Sequence, residues 1–425
     1  PPFLGYSLLS DEQKADRLAI FGKTGGVLDY AACWFKLASD FMAGTKAHAA
    51  LVATNSITQG QQVEPLWKPL FDAGLSIDFA HRTFVWASES SDMAHVHVVI
   101  VGFSHVGRAD KILFSHERAG SLRVQHADHI NAYLVDAPNA FVSRRTTPLA
   151  EVPAMIAGGK PTEGGHLLMD AQERVDLVAN EPGAEKWIRP FSMGAEFING
   201  IERYCLWLVD CPPQDLKAMP LVLERVKAVR EMRLSSDKAA TQKKAETPWL
   251  FDEIKYGGTG NYLAVPKVSS SRRTYVPIGF VTDGMIPGDK LFFVPDAGPF
   301  EFGIMTSRVH NAWMRVVAGR LKSDYSYANT IVYNTFVWPT VTEVQRDTII
   351  KLGQAVLDAR ALYPDATLAD LYDPDNNWLY PKLGIAHRNL DAEVERAYGL
   401  KPGVSEAEIV AHLFELYAAA TGQEG

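Results

Sequence analysis

Cysteine is scarce: the 425-residue chain carries three, Cys33, Cys205 and Cys211. Three thiols at those spacings make neither a disulfide framework nor a zinc site. Cys205 and Cys211 fall in the apolar run ERYCLWLVDC and read as buried thiols of a protein in a reducing cytoplasm. No run of about eighteen apolar residues occurs, so no membrane-spanning helix is expected. The opening residues, PPFLGYSLLSDEQ, lack a basic n-region and an apolar h-region, so they are not a signal peptide. They begin inside a motif, and the sequence is expected to continue upstream of Pro1. Metal-ligand spacing is missing too: His81, His95, His97, His126 and His129 are scattered, so no metal is expected. The Gly-rich stretch GGKPTEGG, from Gly158, follows no strand and reads as a linker, not a cofactor loop.

What remains is ordinary globular material, 47% hydrophobic and 22% charged, long enough for two or three domains. The net charge of −8 argues weakly against nucleic acid, but its distribution reverses that argument. Between Leu221 and Thr340 there are 16 Lys and Arg against 11 Asp and Glu. A basic middle in an acidic chain suits a module that faces DNA, although scattered surface charge gives the same count.

The first part alternates helix and strand signals. Ser10 caps a helix through DEQKADRLAIFG, and VLDYAACWFKLASDFMAG follows as a second. AHAALVATN and HVHVVIVGF, from His95 to Phe103, read as buried strands, which predicts an α/β layer with a central sheet. From about Pro153 the pattern breaks into a loop-rich stretch, then helical and short-strand segments such as NYLAVPKV, RRTYVPIGFV and DKLFFVP. The run KAATQKKAE reads as an exposed loop, and a helix is expected from about Ser307 to Arg320. After Pro339 two amphipathic helices follow.

The chemistry starts at Pro1-Pro2-Phe3. A Pro-Pro-aromatic turn preceded by Asn or Asp is the amino-methylating motif of class I DNA methyltransferases. There the side chain and a backbone carbonyl accept hydrogen bonds from the exocyclic amine of a base, and the aromatic ring stacks on that base. Two prolines fix φ and stiffen the turn. Alone, such a tripeptide also suits an ordinary loop.

The whole chain resembles the C-terminal portion of the MmeI-like family of large bifunctional type II restriction–modification enzymes. The similar segments run in order: PPFLG, LVATNSITQGQQV, FAHRTFVW, HVHVVIVGF, EFINGIERYCLWL, SSSRRTYVPIGF, HNAWMRVVAGRLKSDYSY, IVYNTFVWP and VLDARALYPDATLADLYDP. The resemblance implies the C-terminal part of a class I (Rossmann-like) methyltransferase domain over 1–155 and a linker over 156–187. A mixed α/β target recognition domain over 188–340 and a helical tail over 341–425 complete the order. It implies an S-adenosylmethionine site mostly upstream of Pro1, Asn before Pro1, double-stranded DNA as partner, and methyl transfer to adenine N6. Any nuclease domain would lie far upstream. The alternative is a DNA-binding specificity module without catalysis of its own.

An enzyme of this kind must rotate its base out of the duplex and stack it. Phe3 would supply one face, and Phe84 matches the family's aromatic position for the other, with Trp86 second. Phe84 and Trp86 could equally alternate around a core strand. Asn55 and Ser56, after a strand, suit a pocket rim or a capped turn. For base reading, Lys322, Asp324 and Ser326 alternate, so an extended stretch would point all three one way. Lys can donate to guanine and Asp accept from cytosine, which predicts a G·C pair read there, with guanine in the methylated strand. An exposed salt-bridged turn fits the same residues. Lys290 matches another family position that varies with target sequence. Arg272, Arg273, Arg308, Arg315 and Arg320 are expected on backbone phosphates. Trp313 and the aromatics of IVYNTFVWP read as core. The sequence fixes no oligomeric state.

Overall fold

The structure, a computed structural model, describes residues 1–86, 96–116, 121–282, 284–321 and 323–423. The chain divides into two compact units that interleave along the sequence. Unit 1 is Pro1–Glu151, Val309–Thr340 and Glu395–Gly425; unit 2 is Val152–Arg308 and Val341–Val394. The expected order of domains is linear, whereas each of these units is assembled from separate stretches of chain.

Unit 1 begins with α1 (Asp11–Phe21), whose start is sealed reciprocally. Ser10 Oγ accepts from Gln13 N at 3.2 Å, and Gln13 Oε1 accepts from Ser10 N at 2.9 Å. Then come α2 (Ala32–Met42), β1 (His48–Thr54), α3 (Val63–Asp72), β2 (Ser76–Trp86), β3 (Val96–Ser104), β4 (Lys111–His116) and β5 (Leu122–Ala127). The sheet order is β1-β3-β2-β4-β5. β3 runs antiparallel to both β1 and β2, and β2 runs parallel to β4. β1, β2 and β4 therefore point the same way, and their carboxyl ends share one edge of the sheet. That edge is where ligands collect in open α/β sheets.

The apolar run of β3 is buried as its composition predicts: Val98, Val99, Val101 and Phe103 are all at 0% exposure. Each such side chain contributes roughly 1.5–3 kcal/mol on burial. Phe103 stacks on Phe35 of α2, which meets Trp67 of α3, so both helices are pinned to the sheet. The later segments of unit 1 add the helix Arg308–Val317, a hairpin pairing Gly319–Leu321 with Asp324–Ser326, and the helix Glu406–Thr421. Trp313 is buried against Phe414 and Tyr417, and Tyr333, Phe336 and Trp338 are buried as well, which matches their reading as core.

Unit 2 holds two four-stranded sheets. One orders Gly279–Val281, Tyr262–Pro266, Leu291–Pro295 and Ile156–Ala157; the other orders Ile286–Pro287, Ile188–Ser192, Tyr204–Leu206 and Leu168–Met169. A continuous core runs through both, from Leu167 and Phe191 to Tyr262 and Phe293. The expected linker, 156–187, carries a strand of each sheet and the helix Ala171–Asn180. Glu163 explains why polar, Gly-rich chain packs here: its carboxylate accepts from the backbone N–H groups of Gly165, Leu167 and Leu168. The run KAATQKKAE is likewise not a loop but a short helix, Ala239–Lys243, with a 3-10 turn, Lys244–Glu246. It is held by Arg233, which is fully buried and spends all five N–H groups on carbonyls: Thr162 (3.0 Å), Lys244 (2.9 Å), Thr247 (3.1 Å), Pro161 (3.2 Å) and Leu250 (2.8 Å).

Candidate functional site

The Pro1–Gly5 turn is clamped to the sheet edge by one carboxylate. Leu4 O accepts from Tyr30 N at 3.0 Å, and Tyr6 N donates to Asp29 Oδ1 at 2.8 Å. The other oxygen of Asp29 accepts from Ser56 Oγ at 2.5 Å, in the 3-10 turn Asn55–Thr58 that follows β1. Asp29 is 7% exposed, and its own N–H is fixed to Gln62 Oε1 at 3.0 Å. A buried carboxylate thus joins the opening turn to the carboxyl end of β1. Within the turn, Leu4 N donates to Pro2 O at 3.1 Å. Phe3 is 44% exposed. Asn55 is 7% exposed, and its Nδ2 has no partner, a buried donor at the same edge.

Phe84 reaches that edge through strand register. Thr54 of β1 and Phe84 of β2 both pair with Val98 of β3, so the three lie in one row. Two inter-strand spacings separate Thr54 from Phe84, about 10 Å. β2 bears a bulge: His81 pairs with Ile100 and Phe84 with Val98, three steps against two. Strict alternation would send residues 81 and 84 to opposite faces; the extra residue returns them to one. Phe84 then stacks on His116 (centroids 4.2 Å apart, 18° between planes) and His81 stacks on Phe114 (4.4 Å, 14°). Burial lowers the His81 pKa, with the neighbouring His116 adding to the effect. A second shift lies between Ile77 and Phe79, and there the Phe79 ring lies over Gly102, where a Cβ would fall 2.1 Å from the ring. Phe3 and Phe84 make no ring contact with each other among the described residues.

The hairpin at 319–326 belongs to the same unit. Arg320 Nε donates to Gln59 Oε1 at 3.2 Å, its Nη1 to Ser323 O at 2.8 Å, and its guanidinium sits 4.2 Å from the Tyr325 ring centroid. Gly60, at φ +62°, backs onto this hairpin; a Cβ there would lie 3.2 Å from Gly319 Cα. Asp324 and Ser326 share one face of the second arm. Leu321 pairs with Asp324, so the single extended stretch expected over 322–326 is instead a hairpin arm starting at Asp324. Lys322 lies outside the described residues, as does His95.

The remaining cations are placed differently. Arg315 is held by Glu406 through two bonds, Nε at 2.8 Å and Nη2 at 2.6 Å, with its side chain 14% exposed. That internal ion pair consumes the charge a phosphate contact would use, so Arg315 stands as a strut between two helices. In unit 2, Arg272 pairs with Asp375 at the surface, Arg273 is half-buried, and Arg308 starts a helix with its N–H on Asp391 Oδ1 at 2.7 Å. Lys290 is exposed and bonded to the adjacent Asp289 at 2.9 Å. No described group of three or more His, Cys, Asp or Glu could hold a metal, and no described helix is long and apolar enough to cross a membrane.

Nor do these residues fit S-adenosylmethionine by themselves. In the Gly-rich loop at 158–165 the amides of Gly158, Gly159 and Lys160 donate to the carbonyls of Leu291, Pro287 and Glu253, that of Gly165 donates to Glu163, and Gly158 and Gly159 abut backbone at 288 and 253. Sequence reasoning missed Asp29 and His116. Asp29 sits in an unremarkable DYAAC segment, and no motif in the sequence marks His116; only a bulge hidden from the sequence brings Phe84 onto it.

An α/β sheet whose carboxyl edge carries a rigid Pro-Pro-Phe turn and a half-buried Phe is the C-terminal part of a class I methyltransferase fold. Family models match in the same order: the MmeI DNA-methyltransferase domain over residues 1–115, the MmeI target recognition domain over 136–340 and the MmeI C-terminal domain over 341–423. The chain belongs to the MmeI family. It is 38% identical over 421 residues to DNA methyltransferase A of Bacillus subtilis (strain 168), covering 98% of this chain and 47% of that protein. The type IIL restriction–modification enzyme MmeI, solved in complex with DNA, superposes with a TM-score of 0.90 at 41% identity, over 99% of this chain and 56% of that one. The chain spans about half the length of the relatives it matches.

Proposed function

We propose that this chain forms the base-holding and sequence-reading half of a site-specific DNA adenine-N6 methyltransferase of a restriction–modification system. The observation that carries the reading is the Asp29 clamp, which fixes the Pro1–Phe3 turn to the edge where Phe84 ends. An extruded adenine stacks between Phe3 and Phe84, and the Pro1 carbonyl accepts one N6–H. Fixing both walls before the base arrives supplies the orientation that methyl transfer needs. The methyl donor is S-adenosylmethionine, for which the described residues supply at most part of a site. No metal is required by this chemistry.

Asp324 and Lys322 read a G·C pair, Asp accepting from cytosine N4 and Lys donating to guanine, and Ser326 and Lys290 read further bases of the target. Arg273, Arg308 and Arg320 hold backbone phosphates, with Arg272 joining them if it leaves Asp375. Double-stranded DNA is the partner, and the cytoplasm the compartment. Because the described residues make no complete cofactor site, this chain by itself would bind DNA without methylating it.

The test is a modified-base map of host DNA from cells expressing the complete reading frame, beside a Phe3→Ala control. N6-methyladenine at one short asymmetric motif, lost in the control, supports the reading. A methylated cytosine, or no methylated motif from well-expressed protein, overturns it. A motif with cytosine in place of guanine would retire only the Lys322 and Asp324 assignment.

A further inference from the structure

Phe84 does not stand alone in its strand. His116, at the end of β4, covers one face of its ring at 4.2 Å, and the Nε2 of that imidazole shares a hydrogen bond of 3.1 Å with Nδ1 of His81. His81 in turn stacks on Phe114 at 4.4 Å, and Phe84 also meets the Trp86 ring at 6.1 Å. Four rings, Phe84, His116, His81 and Phe114, therefore form a connected run across two parallel strands. An isolated Phe at a strand end rotates about χ1 and χ2. One plated by a ring that is itself hydrogen-bonded to the neighbouring strand has a single plane. His116 takes one face of the ring and the side chain is half-buried, so a base stacking on Phe84 would have to use the other face.

We infer that His116 is a positioning residue of the base slot: its imidazole backs Phe84 and, through His81, fixes the plane on which the extruded base stacks. The inference rests on the reading of Phe84 as a base-stacking residue. It assigns His116 no contact with substrate and no proton transfer. What matters is a flat ring at that position, so a phenyl group should serve nearly as well as an imidazole. His116 is exposed, and its replacement should leave the fold intact.

The experiment places 2-aminopurine at the methylated adenine of a duplex and follows its fluorescence with the full-length protein, together with kcat, KM and melting temperature. His116→Ala should cut the fluorescence rise and kcat about tenfold, with KM for the duplex within about twofold and melting unchanged, the range expected for one lost ring contact. His116→Phe should restore both to within about twofold. Fluorescence and kcat unchanged in His116→Ala would overturn the inference, and so would failure of His116→Phe to rescue, because the imidazole would then act by its chemistry. Phe84→Ala separates the two levels. If it abolishes the fluorescence rise while His116→Ala does not, only this inference falls. If Phe84→Ala is itself without effect, the base-slot reading falls with it.

Discussion

In unit 1 the polar side chains of the candidate site are tied to one another across long stretches of sequence, while in unit 2 two of the cations nominated for DNA, Lys290 and Arg272, stand at the surface. Asp29 links Tyr6 to Ser56, Arg320 reaches Gln59, and Arg315 is locked to Glu406. Lys290 and Arg272, by contrast, have side chains 63% and 53% exposed and bond only to nearby surface carboxylates. The difference matches the two tasks proposed for this chain. Chemistry on an extruded base tolerates little misplacement, so its walls are fixed by buried bonds. Phosphate and groove contacts work through charge and adapt on binding, so exposed side chains suffice.

The contrast can be broken most severely at Arg233. Arg233→Ala strands five carbonyls in the core of unit 2 and should cost several kcal/mol, at about 1–3 kcal/mol for each group left unsatisfied and partly relieved by water. Thermal denaturation should show a low-temperature transition for unit 2; melting unchanged by more than a degree or two would deny the role given to this residue. Next comes Phe84→Ala. It should lower methylation about tenfold to a hundredfold, the equivalent of losing one base–aromatic stack of about 1–3 kcal/mol. Duplex affinity at moderate salt should hardly change.

Asp29→Ala should act on both stability and rate, because Tyr6 N and Ser56 Oγ lose their acceptor: about 1–2 kcal/mol of stability. Methylation should fall more than duplex binding does; equal losses in both would mean the clamp serves folding alone. A pH titration sharpens the contrast again. Burial pushes the His310 pKa down to about 3, far below an ordinary imidazole. Between pH 6.5 and that value the unfolded chain binds a proton the folded chain refuses, so stability falls as the solution is acidified, by at most about 1.4 kcal/mol per pH unit for this group. His310→Gln should flatten that slope. The smallest effect is expected at Arg272→Ala, with melting unchanged and the log–log salt slope of DNA binding reduced by about one if Arg272 meets a phosphate.

Much of unit 1 was legible in the sequence because its signals are local. The Ser10 cap with Gln13 three residues on, the apolar run of β3 and the buried Trp313 each follow from neighbouring residues. What was not legible depends on register or on distant partners. Nothing in FAHRTFVW announces the bulge that turns His81 and Phe84 to one face, and nothing in DYAAC announces that Asp29 spans two loops. The interleaving of units was hidden for the same reason, since residues 309–340 join unit 1 through packing of Trp313 on Phe414, far along the chain. The stretch 156–187 misled because glycine and polar residues usually mark loops, whereas here Glu163 supplies the hydrogen bonds that let such a segment pack.

On the proposed reading, one sheet edge holds both walls of an adenine slot. A crystal structure of the full-length protein on its target duplex, with a methyl-donor analogue bound, measures this most directly. The expected result is an extruded adenine stacked between Phe3 and Phe84, with its N6 at the Pro1 carbonyl. An adenine still paired in the duplex, or extruded into a pocket that excludes Phe84, would contradict it.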